Sequence, residues 1–199
     1  MKKIGITGTI ASGKTTVSIL LRRKGYRVFD CDGYTRSLYL PGQPVYEAIV
    51  DTFGEDILDG QGEIDRASLA GIVFSNEEAR VKLNSIVHPA VLAGMKRFFF
   101  NHQEEPLVFA EVPLLFEAHM ESAVDEILVV ACEHDTAIQR MKEDRGYSEE
   151  EAERRYQAMV HPSLQKEQAH YVILNDGTLS ELNDKVIAWL EQMEDSHVS

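Results

Sequence analysis

Eight consecutive residues constrain this chain more than any others: Gly8-Thr9-Ile10-Ala11-Ser12-Gly13-Lys14-Thr15. A short apolar run, Ile4-Gly5-Ile6-Thr7, precedes them. A helical pattern with Val17, Leu20 and Leu21 on one face follows. Strand, glycine-bounded loop and helix is the setting in which G-x-x-x-x-G-K-[ST] becomes a phosphate site. The glycines let successive amides curl inward toward an anion. The helix opening near Gly13 adds the positive end of its dipole. Lys14 can then bridge β- and γ-phosphates, and the Thr15 hydroxyl can ligate Mg²⁺.

Composition limits what such a loop serves. The 199 residues suit one domain, or a core with modest insertions. A net charge of −13 argues against nucleic acid as a partner, because polyanion binding needs a basic face. An anionic substrate must therefore be held by a local cluster of donors. Cys31 and Cys132 are too few for a disulfide framework and read as buried thiols of a reducing interior. Lys14, Arg22, Arg23 and Lys24 interrupt the early apolar stretches, so no signal segment is read. No stretch approaches the roughly 20 apolar residues of a membrane span. These features predict a cytoplasmic protein with no membrane partner; they carry no signal for oligomeric state.

The periodicities predict strands at about 3–7, 26–29, 107–112, 126–132 and 171–174. A helix over about 13–24, stopping at Gly25, joins the first two strands as a βαβ unit, so the sheet is parallel. Between residues 33 and 102 the strand signal vanishes and short amphipathic segments follow one another. Pro44 to Phe53 reads as a helix, and Asp65 as the cap of another. Ser75 with Glu78 reads as a capping box, and Pro89 as the first turn of a longer helix. Helices are also expected from Thr136, from Ser148 and over Leu179–Met193, followed by a frayed polar tail.

Ligands of a parallel doubly wound sheet sit outside the carboxyl ends of its strands. That expectation places the glycine loop, Asp30 and Asp32, and Glu111 on one rim. Phosphoryl transfer to a hydroxyl needs a carboxylate to accept the proton, here one ending a strand adjacent to the loop's own. Asp32 is chosen, with helix N-capping as its competing role. Position alone allows Asp30 equally. Glu111 either reaches a metal through water or is a solvated strand-end carboxylate. His88, before Pro89, reads first as a structural donor. Arg36 lies one turn beyond Asp32 and either pairs with it or holds a substrate phosphate. Arg140, Lys142, Arg145, Arg154 and Arg155 are interleaved with acids, the usual sign of solvated helix faces. Arg140 is singled out as a phosphate contact.

These residues resemble a known family, the dephospho-coenzyme A kinases, over nearly the whole chain. Ile6-Thr7-Gly8 through Thr16 is similar to the family's loop. Val28-Phe29-Asp30-Cys31-Asp32 with Arg36 resembles its V-I-D-A-D…A-R segment, whose second aspartate is the catalytic base. Ile64-Asp65-Arg66, Ile86-Val87-His88-Pro89 and Pro113-Leu114-Leu115-Phe116-Glu117 resemble its L-D-R, I-x-H-P and P-L-L-F-E segments. The resemblance implies ATP-dependent phosphorylation of the ribose 3′-hydroxyl of dephospho-CoA, the last step of CoA synthesis, with Mg²⁺. It implies catalytic roles for Asp32 and Lys14. It implies ATP contacts at Gly8, Ala11, Ser12, Gly13, Lys14, Thr15, Thr16 and Arg140, and substrate contacts at Thr7, Asp32, Arg36, His88 and Leu114. Thr15 is the implied metal ligand.

The implied fold is α/β, a parallel five-stranded P-loop kinase sheet flanked by helices. Residues 1–32, 103–134 and 169–199 would form the nucleotide-binding core, 33–102 a helical substrate domain and 135–168 a helical lid. The chain departs from the family where Thr9 and Ala11 replace small residues, often glycines. It departs again where Asp144-Arg145 inverts the lid's R-D, where a glutamine falls near Met159, and where A-D becomes Ala169-His170. The alternative reading is a nucleoside or nucleoside monophosphate kinase. A regulatory nucleotide switch is a rival of another class, although no N-K-x-D segment is present.

Overall fold

A computed structural model describes residues 1–158 and 162–195. Its strands are β1 (Lys2–Gly8), β2 (Arg27–Asp30), β3 (Leu107–Glu111), β4 (Glu126–Ala131) and β5 (Tyr171–Leu174). Its α-helices, in chain order, are α1 (Lys14–Arg23), α2 (Cys31–Leu38), α3 (Pro44–Phe53), α4 (Arg66–Ser75), α5 (Glu77–Asn101), α6 (His134–Arg145), α7 (Glu149–Gln157), α8 (Pro162–Gln168) and α9 (Leu179–Asp195). The expected tail lies mostly outside the described residues, as does Met159.

The strands form one sheet in the order β2-β3-β1-β4-β5. The β1–β3, β1–β4 and β4–β5 pairs are parallel. Ile4, Ile6, Phe109, Leu128 and Val130 are fully buried, as strands covered on both faces require. Val17, Leu20 and Leu21 of α1 join this core with Leu182, Val186 and Leu190 of α9. Trp189 is packed edge-on against Phe109 and Tyr171, with 5.9 Å between ring centroids in each case. One expectation changes here. The βαβ unit does not join neighbouring strands, because β3 lies between β1 and β2. The carboxylate ending a strand next to β1 is thus Glu111, and Asp30 ends the edge strand.

The chain divides into two compact units, Met1–Phe29 with His102–Ser199, and Asp30–Asn101. The first holds the sheet with α1 and α6 to α9. The second is helical, with one isolated bridge between Leu58 and Ile64. In it α2, α3 and α4 each contact α5. Gly94 lets α2 approach, since a Cβ there would fall within the Tyr34 ring.

Two local expectations in this helical unit are corrected. Ser75 is not a cap: it is the last residue of α4, and its hydroxyl donates back to the Gly71 and Ile72 carbonyls. Asn76 caps α5 instead, its Oδ1 accepting from the Ala79 amide at 3.1 Å. Pro89 lies inside the 25-residue α5, not in a first turn. The proline removes one helical hydrogen bond, at a cost of about 3 kcal/mol. Burial of Val87, Val91, Met95 and Phe99 on either side offsets that cost. Asp65 does cap α4, as expected.

Candidate active site

The loop after β1 follows from two backbone positions. Gly8 has φ 143° and Gly13 has φ 95°, values that side chains resist. Gly13 is the N-cap of α1, and the first helical bond there runs from the Val17 amide to the Gly13 carbonyl. The Thr15 and Thr16 amides lie in the first turn of α1, where backbone donors lack partners within the helix. The Ser12 hydroxyl is fully buried and has no hydrogen-bond partner among the described residues. The Lys14 ammonium donates to the Gly8 carbonyl at 2.9 Å and the Thr9 carbonyl at 2.7 Å. This is a cradle of donors suited to phosphate.

Ala11 adopts φ 57°, in the left-handed region. A non-glycine residue there costs roughly 1–2 kcal/mol. It packs with Ile10 against Ile138, Met141 and Ala152, so α6 and α7 partly cover it. Arg140 Nη1 donates to the Ala11 carbonyl at 3.2 Å, which brings that arginine to the loop.

Glu111 is 6% exposed at the end of β3, opposite Ile6 in register. Its Oε1 accepts from the Thr15 hydroxyl at 2.7 Å. Two hard oxygen donors side by side form a set that suits Mg²⁺. Among the described residues no cluster of three His, Cys, Asp or Glu forms a metal site. A metal at Thr15 would thus draw most of its ligands from phosphate and water.

Asn175, just past β5, went unnoticed in the sequence. Its Nδ2 donates to the Ser12 carbonyl at 2.8 Å and its amide to the Ala131 carbonyl at 2.7 Å. A Cβ on Gly13 would strike that Nδ2. The only local signal is a polar residue directly after Ile173-Leu174 at the rim. Asn175→Ala is expected to cost about 1–3 kcal/mol, because it strips a buried carbonyl of its donor. Urea denaturation checks this; unchanged stability would remove Asn175 from the loop's support.

The remaining cations between β4 and β5 behave as the charge pattern predicts. Lys142 pairs with Glu149 at 2.9 Å, and Arg154 and Arg155 both pair with Glu151. Arg145 is exposed at the end of α6. His134 links the two helices, with Nδ1 2.9 Å from Asp135 and Nε2 2.8 Å from Glu153. The bond to Asp135, then that to Glu153, raises its pKa above 6.5. Its folded form holds the proton more tightly than the unfolded form. The stabilisation is therefore complete below about 6.5 and fades as pH rises through the elevated folded value. Protection factors in α7, which exclude the intrinsic base catalysis of amide exchange, should fall as pH rises above about 6.5, and His134→Gln should flatten that dependence. Cys31 and Cys132 are buried and not disulfide-bonded, as composition suggested, and burial pushes the Cys132 thiol's pKa up.

The helical unit separates the two aspartates. Asp30 is the N-cap of α2: its Oδ1 accepts from the Gly33 amide at 2.9 Å. The capping role weighed for Asp32 thus belongs to Asp30. Asp32 lies in the first turn, exposed, and lines an open cavity of about 320 Å³ with Thr35, Arg36, Tyr39 and Arg66. Arg36 Nε donates to the Asp32 main-chain carbonyl at 3.2 Å. His88 is half-buried in α5. In the sheet unit, Thr7 is fully buried with its hydroxyl donating to the Pro113 carbonyl at 3.3 Å, and Leu114 is exposed.

Comparison with known proteins places the whole chain. The family model described as dephospho-CoA kinase matches residues 2–181. A dephospho-CoA kinase of Geobacillus kaustophilus is 43% identical over 193 residues, 96% of each chain. A solved structure from Thermus thermophilus superposes with a TM-score of 0.82 at 34% identity, covering 96% of this chain and 97% of that one. The dephospho-CoA kinase of Campylobacter jejuni shares the fold, with a TM-score of 0.74 at 21% identity and 98% coverage of both chains. Among the described residues no helix is long and apolar enough to cross a membrane.

Proposed function

This chain belongs to the dephospho-CoA kinase family, and from that premise we propose that it phosphorylates the ribose 3′-hydroxyl of dephospho-CoA with ATP, giving CoA. The observation that carries the reading is the family match across residues 2–181, which includes the loop, both aspartates and the P-L-L-F-E segment. The same breadth favours it over a nucleoside kinase.

Each residue has a role the chemistry requires. The loop from Gly8 to Thr16 grips the triphosphate through main-chain amides, and Lys14 neutralises charge on the transferring phosphoryl group. Arg140, anchored at the Ala11 carbonyl, adds a second cation. Asp32 accepts the proton of the attacking hydroxyl, since Asp30 is committed to its cap. Arg36, His88, Thr7 and Leu114 contact the acceptor. Mg²⁺, when bound, draws negative charge off the phosphates. Thr15 would hold it directly and Glu111 through water. Residues 135–168 act as a lid that excludes water. The protein works in the cytoplasm.

A coupled ADP-release assay with dephospho-CoA, adenosine and CMP as acceptors tests the reading. Turnover with dephospho-CoA is expected. Turnover only with adenosine or CMP would replace it by the nucleoside kinase alternative, and none with any acceptor would favour a nucleotide switch.

A further inference from the structure

The cavity beside Asp32 contains an arginine that helix stability does not explain. Arg66 is the first residue of α4. A cation in the first turn opposes the helix dipole, so this guanidinium destabilises the helix it opens. The cap comes from Asp65, whose carboxylate accepts from the Ala67 amide at 2.9 Å and the Ser68 hydroxyl at 2.6 Å. The chain carries 33 acidic residues, yet among the described residues no hydrogen bond or ion pair is formed by Arg66. It instead faces the cavity with Arg36, Asp32, Thr35 and the half-buried Tyr39. Tyr39 and Arg66 line the same cavity; burial raises the Tyr39 hydroxyl's pKa and the Arg66 charge opposes that rise.

Acceptor chemistry supplies the missing anion. Dephospho-CoA carries a diphosphate on the 5′ side of the ribose whose 3′-hydroxyl reacts. A cavity that offers Asp32 to the hydroxyl must also neutralise the diphosphate nearby, and Asp32 itself repels it. Two guanidiniums suit phosphate oxygens through paired N–H donors.

We propose that Arg66, together with Arg36, clamps the diphosphate of dephospho-CoA in the cavity of the helical unit, with Tyr39 as its wall. This rests on the acceptor being dephospho-CoA. Arg66 is then the residue that makes the site prefer the coenzyme precursor to a bare nucleoside.

Steady-state kinetics of wild type, Arg66→Ala and Arg66→Lys with dephospho-CoA as the varied substrate test it. Arg66→Ala should raise KM by about 10–100-fold, the range for losing charge-assisted hydrogen bonds, while kcat changes far less. Arg66→Lys should fall between the two, because it keeps the charge and loses the fork. Wild-type KM should rise with ionic strength more steeply than that of Arg66→Ala. Unfolding is no confounder if the alanine variant melts at or above the wild-type temperature, as the dipole argument predicts. A KM within twofold of wild type, or a loss confined to kcat, overturns the clamp while leaving the kinase reading intact. Absence of wild-type turnover with dephospho-CoA overturns both.

Discussion

Asp32→Asn is expected to leave ATP affinity intact and lower kcat by about 10²–10⁴, the span for removing a general base. The asparagine keeps the shape and loses the basic lone pair. It should not disturb α2, because the cap of that helix is the Asp30 carboxylate. The loss should appear equally in kcat and kcat/KM, as for an interaction made only in the transition state. Lys14→Ala provides the contrast. It removes a cation from the phosphate loop, so KM for ATP should rise and kcat should fall together. Direct nucleotide titration with pre-steady-state kinetics separates the two patterns. Unchanged turnover in Asp32→Asn would take that residue out of proton transfer.

Gly8→Ala is expected to cost more stability than any other single methyl in the sheet unit, about 3–5 kcal/mol by combining φ strain with overpacking. Gly8 sits at φ 143° opposite Val130 in the β1–β4 register. A Cβ there would run into the Val130 carbonyl oxygen. That oxygen belongs to main chain in a strand buried from Ile127 to Ala131 and has no rotamer through which to yield. Relief requires β4 to separate from β1, which breaks the rim that carries the loop. The expected result is an unfolding midpoint in urea far below wild type, with nucleotide binding lost in whatever folds. A wild-type midpoint would mean the loop tolerates a backbone path other than the one seen here.

Much of this was legible before any coordinates. Val28-Phe29, Leu107–Ala110 and Ile127–Val130 are apolar runs that a doubly covered strand demands. Val17, Leu20 and Leu21 repeat at helical spacing. The positions of α3 and β5 came out residue for residue. Where local signals competed, the reading slipped. Ser75 and Asn76 are both good caps, and a helix ends as another begins between them. Pro89 is a sound first-turn residue, yet the apolar stripe on both sides carries α5 through it. Nothing marked α8, which is a short polar helix.

Main-chain chemistry written into consecutive residues was settled by the sequence: a glycine-bounded turn between strand and helix, a lysine at its end, a parallel α/β core around it. Those follow from local sterics and short-range periodicity. Only the tertiary structure put β3 between β1 and β2, set Asn175 against the Ser12 carbonyl, gave the capping bond to Asp30 rather than Asp32, and turned Arg66 into the wall of a cavity. Each of those depends on a partner many residues away or on which of two equivalent groups finds a donor. Pairings of that kind leave no periodic trace along the chain, because burial and geometry choose them after the elements have formed.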